Sequence, residues 1–546
     1  MPTSVDAPNV VPAVIPRAGL RILSAAWWPY LVATVAAVLL RWPTLSNRML
    51  TTDEPAYLLQ AARLHSWETF AYAYLYRTET KTQIGLVPYL IAQLIDPGNA
   101  ILIVRVFVLL ALIISCWLLI AFARRFLGGP LTGLVAALLS AFYVATGSGY
   151  FTAPTILGEF WLGAKLEYFQ LPFILACLYG VAWGSGVGGE RPRHADWGLF
   201  GAGLAWAVAV LIKPGAILAG PVCVLSLLML WPATVPPRQR LPAQARAVGA
   251  FVLGAALPVV LVFAPYVLRP STLAELRFNL LDLNSSYAVG PPLIVRVPAL
   301  LLGIPRILAV LFLIAPVLVG RRLRGRPPTT AQRVLPMVLL AVLALFIGYL
   351  PGQALLHYLI PIVPLMALAV CSYMGLFLDD LRARGRQGLA RSFTFALALA
   401  YLAFQAQALL AYPGVATRDY YLDEDRTHFD LDGIVAYIKT HTAPTDPVWV
   451  YYDAPEINML SGRPPATADP QADWLTFLWA DPWFDRTLAA LQAEPPKLII
   501  GVNHPHLYFA RAVPITEVPK VRTLVASDYR CDAALLRGAI ICTRLK

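Results

Sequence analysis

The sequence predicts a polytopic α-helical membrane protein of about eleven transmembrane helices. Its N-terminus is expected inside, its C-terminus outside, with a small extracytoplasmic α/β domain at the end. Three observations predict this fold class. The 546 residues are 58% hydrophobic and only 14% charged, whereas soluble chains carry about 25% charged residues. Apolar runs near 20 residues, the length that spans a bilayer as a helix, recur between residues 23 and 411. After Tyr412 the pattern changes to short strand-like runs and one amphipathic helix.

The expected spans lie at 23–42, 102–123, 130–147, 168–184, 197–212, 215–231, 248–267, 299–319, 334–350, 358–378 and 393–411. Residues 1–22 hold four prolines up to Leu20 and no short apolar core, so they read as a cytoplasmic segment and not as a cleavable signal. Basic clusters fall between alternate spans: Arg124 and Arg125; Arg191 and Arg193; Arg238, Arg240 and Arg246; Arg321, Arg322, Arg324 and Arg326; and Arg382, Arg384, Arg386 and Arg391. Together with Arg17 and Arg21 they share one side, which the positive-inside rule makes the cytoplasm. An odd number of spans then carries the C-terminus outside. The outer face receives the first loop, 43–101, together with Lys213, His357 and the tail.

The net charge of +12 conceals two halves. Residues 1–411 hold 30 Lys and Arg against 14 Asp and Glu, while residues 412–546 hold 13 against 17. A basic excess beside membrane spans sets orientation, so nucleic acid is not expected as a partner.

The tail, 412–546, has the size of a normal domain. "LDGIVAYIKTH" has helical spacing, "VWVYY" and "KLIIGV" read as buried strands, and "RCDAALLRGAIICTR" reads as a hairpin. Cys531 and Cys542 flank that hairpin on the outward side, where a disulfide persists. Cys116, Cys177, Cys223 and Cys371 sit in apolar helices and read as core residues.

Polar residues beside an apolar bundle are expensive. Two stand together in "TTDEPAYLLQAARL", as Asp53 and Glu54. Helix capping is the plain reason, with Thr or Asp as cap and Pro55 in the first turn. A cap accounts for one carboxylate, not two. The same outer face carries Glu79 and Lys81, Glu159, Lys165 and Glu167, Lys213 before Pro214, and His357 with Tyr358. Taken singly, a lysine at a helix end snorkels and a histidine there is an interface residue. Taken together, carboxylates could serve as base on an acceptor hydroxyl or amine, and cations could hold a phosphate leaving group.

Several segments, in order, resemble the GT-C glycosyltransferases, especially the family 39 type that includes protein O-mannosyltransferases and bacterial aminoarabinose transferases of lipid A. "TTDEPAYLLQAARL" is similar to the acidic motif of the first loop. "ETKTQIGLVPYL" resembles the second part of that loop. "RVFVLLALIISCWLLIAFARRFLG" resembles the second span. "AVAVLIKPGAIL" and "HYLIPIVPLMAL" resemble two later lysine and histidine segments, and "VWVYYDAPEINMLSGRPP" the start of an outward domain. Nearly the whole chain is covered, by motifs that are each short.

The resemblance implies a sugar on polyprenyl phosphate as donor, a membrane lipid as partner and an acceptor that is lipid, glycan or protein. It implies an active site facing the exterior or periplasm of a bacterial plasma (inner) membrane. Asp53 would be the base, with Glu54 in support. Lys81, Lys213, His357 and Tyr358 would hold the donor phosphate, and Glu79, Glu159 or Glu167 would orient acceptor or sugar. Glu167 is preferred to Glu159 because it abuts the apolar run. "KTQIG" lacks the prolines usual after the lysine. Some relatives bind a divalent metal near the loop glutamate; Glu79 stands two residues from Lys81, so that metal is left open. A transporter or flippase of polyprenyl-linked intermediates is the alternative. Transporters commonly show internal repeats, and none is visible here.

Overall fold

The apolar runs become helices. The computed structural model describes residues 27–45, 53–73, 83–146, 163–189, 191–231, 237–282, 293–304, 306–322, 328–350, 356–396, 399, 422, 426–451, 454–467, 481–502, 515 and 518–545. Among them, six helices are long and apolar enough to cross a membrane, and four shorter apolar ones accompany them. The expected last span, 393–411, lies mostly outside the described residues.

We number the bundle helices α1 (Trp28–Leu45), α2 (Asp53–Ala62), α3 (Trp67–Ala71), α4 (Gln83–Ile95), α5 (Ala100–Phe126), α6 (Pro130–Thr146), α7 (Leu166–Ser185), α8 (Ala195–Ile212), α9 (Ala219–Met229), α10 (Pro237–Leu268), α11 (Leu293–Gly303), α12 (Arg306–Arg322), α13 (Thr330–Tyr349) and α14 (Ile362–Ala383). One continuous apolar core joins most of them. α5 alone, at 27 residues, is about 40 Å long, enough for the hydrocarbon layer and its borders.

Two departures from the sequence reading have local causes. The expected span 299–319 falls on two helices among the described residues, α11 ending at Gly303 and α12 beginning at Arg306, around a sequence that holds a proline, a residue that lacks a backbone donor and disfavours a continuous helix. Among its described residues, the first loop is largely helical, with α2, α3 and α4. α4 is too short to cross a bilayer and carries Gly85 and Pro88 inside. It is held instead by burying Gln83, Gly85, Leu86, Tyr89 and Ala92 against its neighbours.

Arginine clusters and the candidate site residues or their partners sit at opposite ends of the same helices. α5 has Arg105 in its second turn and Arg124 and Arg125 in its last. α8 begins after Arg191 and Arg193 and ends at Lys213. α14 begins after His357 and ends at Arg382.

The tail has its own apolar core. It holds α15 (Leu431–His441), β1 (Val448–Tyr451), α16 (Pro455–Ser461), α17 (Asp481–Ala493), β2 (Leu498–Val502), α18 (Pro519–Asp528), β3 (Tyr529–Leu536) and β4 (Ala539–Arg544). Strand order is β1-β2-β4-β3. β1 and β2 run parallel, Val448 opposite Leu498, and every residue of both is buried; sheet interiors of this kind need continuous apolar strands. β3 and β4 form the expected hairpin, and a disulfide joins the facing residues Cys531 and Cys542.

α2 links the two parts. It packs on α16, and Arg63 just beyond its end donates to the Pro465 carbonyl at 2.6 Å. Met459 of α16 touches both apolar cores.

Candidate functional site

The first turn of α2 sends its two carboxylates in different directions, since successive helix residues point about 100° apart. Glu54 goes into the bundle. Its two oxygens accept from Arg105 Nε and Nη2, each at 2.8 Å, and Oε1 also accepts the Ala164 N–H at 3.0 Å. Arg105 Nη1 donates to the Thr44 carbonyl at 2.9 Å. One buried guanidinium thus ties the end of α1, the start of α2 and the second turn of α5. Tyr89 of α4 donates its hydroxyl to the Ala164 carbonyl, so Ala164 is held through both its N–H and its C=O.

Asp53 points the other way, to Lys165. Lys165 is the residue that precedes α7, and its side chain is 3% exposed against 17% for Asp53. Two residues on, Glu167 lies in the first turn of α7, fully buried. It pairs with Lys213, and His357 Nε2 stands 3.5 Å from its Oε1. The Lys213 ammonium lies 4.3 Å from the centre of the Tyr358 ring, a cation over an aromatic face.

Lys213 is fixed from below. Gln170, one turn along α7 from Glu167, donates its amide to the Lys213 carbonyl at 2.7 Å and to the Ala209 carbonyl at 2.8 Å. Its oxygen accepts the Tyr349 hydroxyl. Tyr349 stacks on Tyr358, ring centres 5.1 Å apart. The turn Lys213–Pro214–Gly215 presses directly onto α13. A Cβ on Gly348 would lie 2.1 Å from the Gly215 carbonyl oxygen, and one on Gly215 would lie 2.3 Å from the Tyr349 ring. Only glycine permits that approach.

Five of the residues singled out in the sequence therefore meet at one end of the bundle: Asp53, Glu167, Lys213, His357 and Tyr358. Glu54 sits beside them with its oxygens spent on Arg105 and Ala164. Glu79, Lys81 and Glu159 lie outside the described residues. Arg105, Lys165 and Gln170 complete the arrangement. The signal for Arg105 was a lone cation early in an apolar span, which demands a buried partner; Lys165 was noted on the outer face and left unassigned. Among the described residues, no group of three or more His, Cys, Asp or Glu gathers as a metal site.

Chemically, the site offers a part-exposed carboxylate, the buried Lys165, the partly buried Lys213 and an imidazole within one helix-end cluster. That set can accept a proton at one point and stabilise an oxyanion at another.

No protein-family model matches the chain, and no curated protein sequence does. Solved structures match it in fold. ArnT from Cupriavidus metallidurans, in the apo state, is 14% identical, with a TM-score of 0.55 over 95% of this chain and 98% of that one. The archaeal oligosaccharyltransferase AglB from Archaeoglobus fulgidus, solved with an inhibitory peptide and a dolichol-phosphate, is 13% identical, with a TM-score of 0.52 over 88% of this chain and 69% of that one. The chain shares the fold of these two membrane-protein structures.

Proposed function

We propose that the protein is an integral membrane glycosyltransferase that moves a sugar from a polyprenyl-phosphate donor to an acceptor on the extracytoplasmic face. The supporting observation is the meeting of Asp53 with Lys165, and of Glu167 with Lys213 and His357, at the helix ends opposite the arginine clusters. The fold adds to it, and the AglB structure holds a dolichol-phosphate, a lipid phosphate of the same class.

In the reaction, an acceptor oxygen or nitrogen attacks the anomeric carbon from the face opposite the phosphate. The bond between that carbon and the phosphate oxygen breaks, and its electron pair leaves on the phosphate. The acceptor's proton passes to Asp53. Lys213 and His357 face the developing phosphate charge, with Tyr358 beneath the ammonium; Lys81 joins them from the first loop. Glu167 positions both cations. Glu54 supports Asp53 by fixing the start of α2. Glu79 and Glu159 orient sugar or acceptor from the same face, and a divalent metal beside Glu79 stays an open element of the proposal. The tail, 412–546, lies outside as a separate domain over this face.

Mass spectrometry of lipid and glycan extracts from cells with and without the gene identifies the sugar and acceptor. With that donor, Asp53→Asn in purified protein should turn over roughly 10²-fold more slowly, the usual scale for a lost general base. Asparagine caps a helix as well as aspartate, so a pure capping role predicts near-normal turnover. A flippase would show no sugar transfer in detergent, where no sealed membrane exists.

A further inference from the structure

Two lysines that meet the start of α7, Lys165 just before it and Lys213 at the end of α8, are neutralised by carboxylates, and both are largely buried. Lys165 holds Asp53, and Lys213 holds Glu167 two residues further along the chain. Lys165 precedes the helix without its side chain capping it, so backbone N–H groups of the first turn and two ammonium groups share one place. That combination attracts an anion. The proposed base and one proposed phosphate ligand are then masked in the same way.

We infer that Lys165 exchanges partners during the cycle. When the phosphate of the donor reaches the start of α7, the Lys165 ammonium turns from Asp53 to the phosphate, and Asp53 is released to take the acceptor's proton. This rests on the transferase reading above and adds to it a residue and an order of events.

Three features support the exchange. An ammonium on a four-carbon stem has three rotatable donors and can change acceptors with a small movement. Asp53 is the more exposed member of the pair, so water or an acceptor hydroxyl can take the lysine's place at the carboxylate. Lys165 is the buried member, and a buried cation left unpaired is costly; it stays on Asp53 until another anion arrives. The neighbouring pair is built for the opposite purpose. Arg105 grips Glu54 with two donors and Thr44 with a third, and both partners are 2% exposed. One pair is a fixture and the other a latch. The base is bared only once the donor is seated, which orders donor before acceptor.

Asp53 and the phosphate compete for one cation, so removal of the Asp53 charge must strengthen phosphate binding. The test is equilibrium binding of undecaprenyl phosphate, without sugar, to full-length protein in detergent. Asp53→Asn should tighten binding by roughly 5-fold or more, the lower end of ordinary coupling between sites. Lys165→Met should weaken it, and in that background Asp53→Asn should have no effect. Should Lys165→Met not fold, Lys165→Gln carries the test: a neutral amide attracts neither anion as an ammonium does, so phosphate affinity should fall and Asp53→Asn should no longer raise it. Unchanged or weaker binding by Asp53→Asn overturns the exchange. Absence of any binding by the wild-type protein instead removes the transferase reading itself.

Discussion

Asp53 and Glu54 are adjacent in the chain and end in different ion pairs, one on Lys165 and the other on Arg105. The neighbour's negative charge is therefore met by a guanidinium. The sequence reading put Glu54 in support of Asp53; the geometry separates them into a part-exposed group and a buried anchor.

Glu54 and Arg105 should accordingly matter more for folding than for chemistry. Removing one partner of a buried pair costs about 3–5 kcal/mol. Arg105→Met should lower the thermal midpoint in detergent well below that of Asp53→Asn, which keeps an amide oxygen to accept from the buried Lys165. Equal midpoints for the two variants would show that the Arg105 pair is not an anchor.

Gly215→Ala tests the seat of Lys213. The new methyl group would meet the Tyr349 ring at 2.3 Å, and that ring is held by Gln170 and Tyr358. Overpacking of this kind costs about 1–3 kcal/mol and should also reduce donor use, because Lys213 moves with the turn. Gly201→Ala, on the preceding helix α8 with nothing near its Cβ, should be neutral or slightly stabilising. Full stability of Gly215→Ala would mean that α13 gives way.

Orientation can be read directly. Reporter fusions at Arg124, Lys213 and Lys546 should report inside, outside and outside, following the arginines at one end of α5, α8 and α14. A cytoplasmic signal at Lys546 would reverse the tail and remove the odd span count.

The hairpin disulfide should hold the end of the tail. Cys531 and Cys542 close a loop with a sequence separation of 11, worth roughly 2–3 kcal/mol in the chain-entropy model. Reduction should shift electrophoretic mobility and lower the tail's unfolding midpoint. Two free thiols in natively purified, unreduced protein would exclude the bond.

Much of this was legible in the sequence. Long apolar runs gave most bundle helices, because hydropathy acts over a whole span. "VWVYY", "KLIIGV" and the hairpin gave the four strands found among the described residues, since each is a short apolar run bounded by turn residues. Asp53, Glu167, Lys213 and His357 could be placed at helix ends and on one face. Their pairing could not: Lys165 meets Asp53 across 112 residues and Tyr349 meets Gln170 across 179. Such partners depend on how helices pack, which no local pattern encodes. α4 was missed for a related reason. With Gly85 and Pro88 inside a short helix, local propensity is poor, and burial against neighbours sustains it.

The bond from Arg63 to Pro465 has a consequence for biosynthesis. Its two ends are separated by 402 residues. At a synthesis rate of about 5–20 residues per second, roughly 20–80 s pass between them. The helix that bears Asp53 and Glu54 emerges early, yet its far end waits for one of the last segments to leave the ribosome. A chain cut short before residue 465 would insert its bundle and still lack the clasp on α2. Incomplete products should therefore be inactive and open to proteases at the first loop, which gives the cell a way to clear them before they meet lipid.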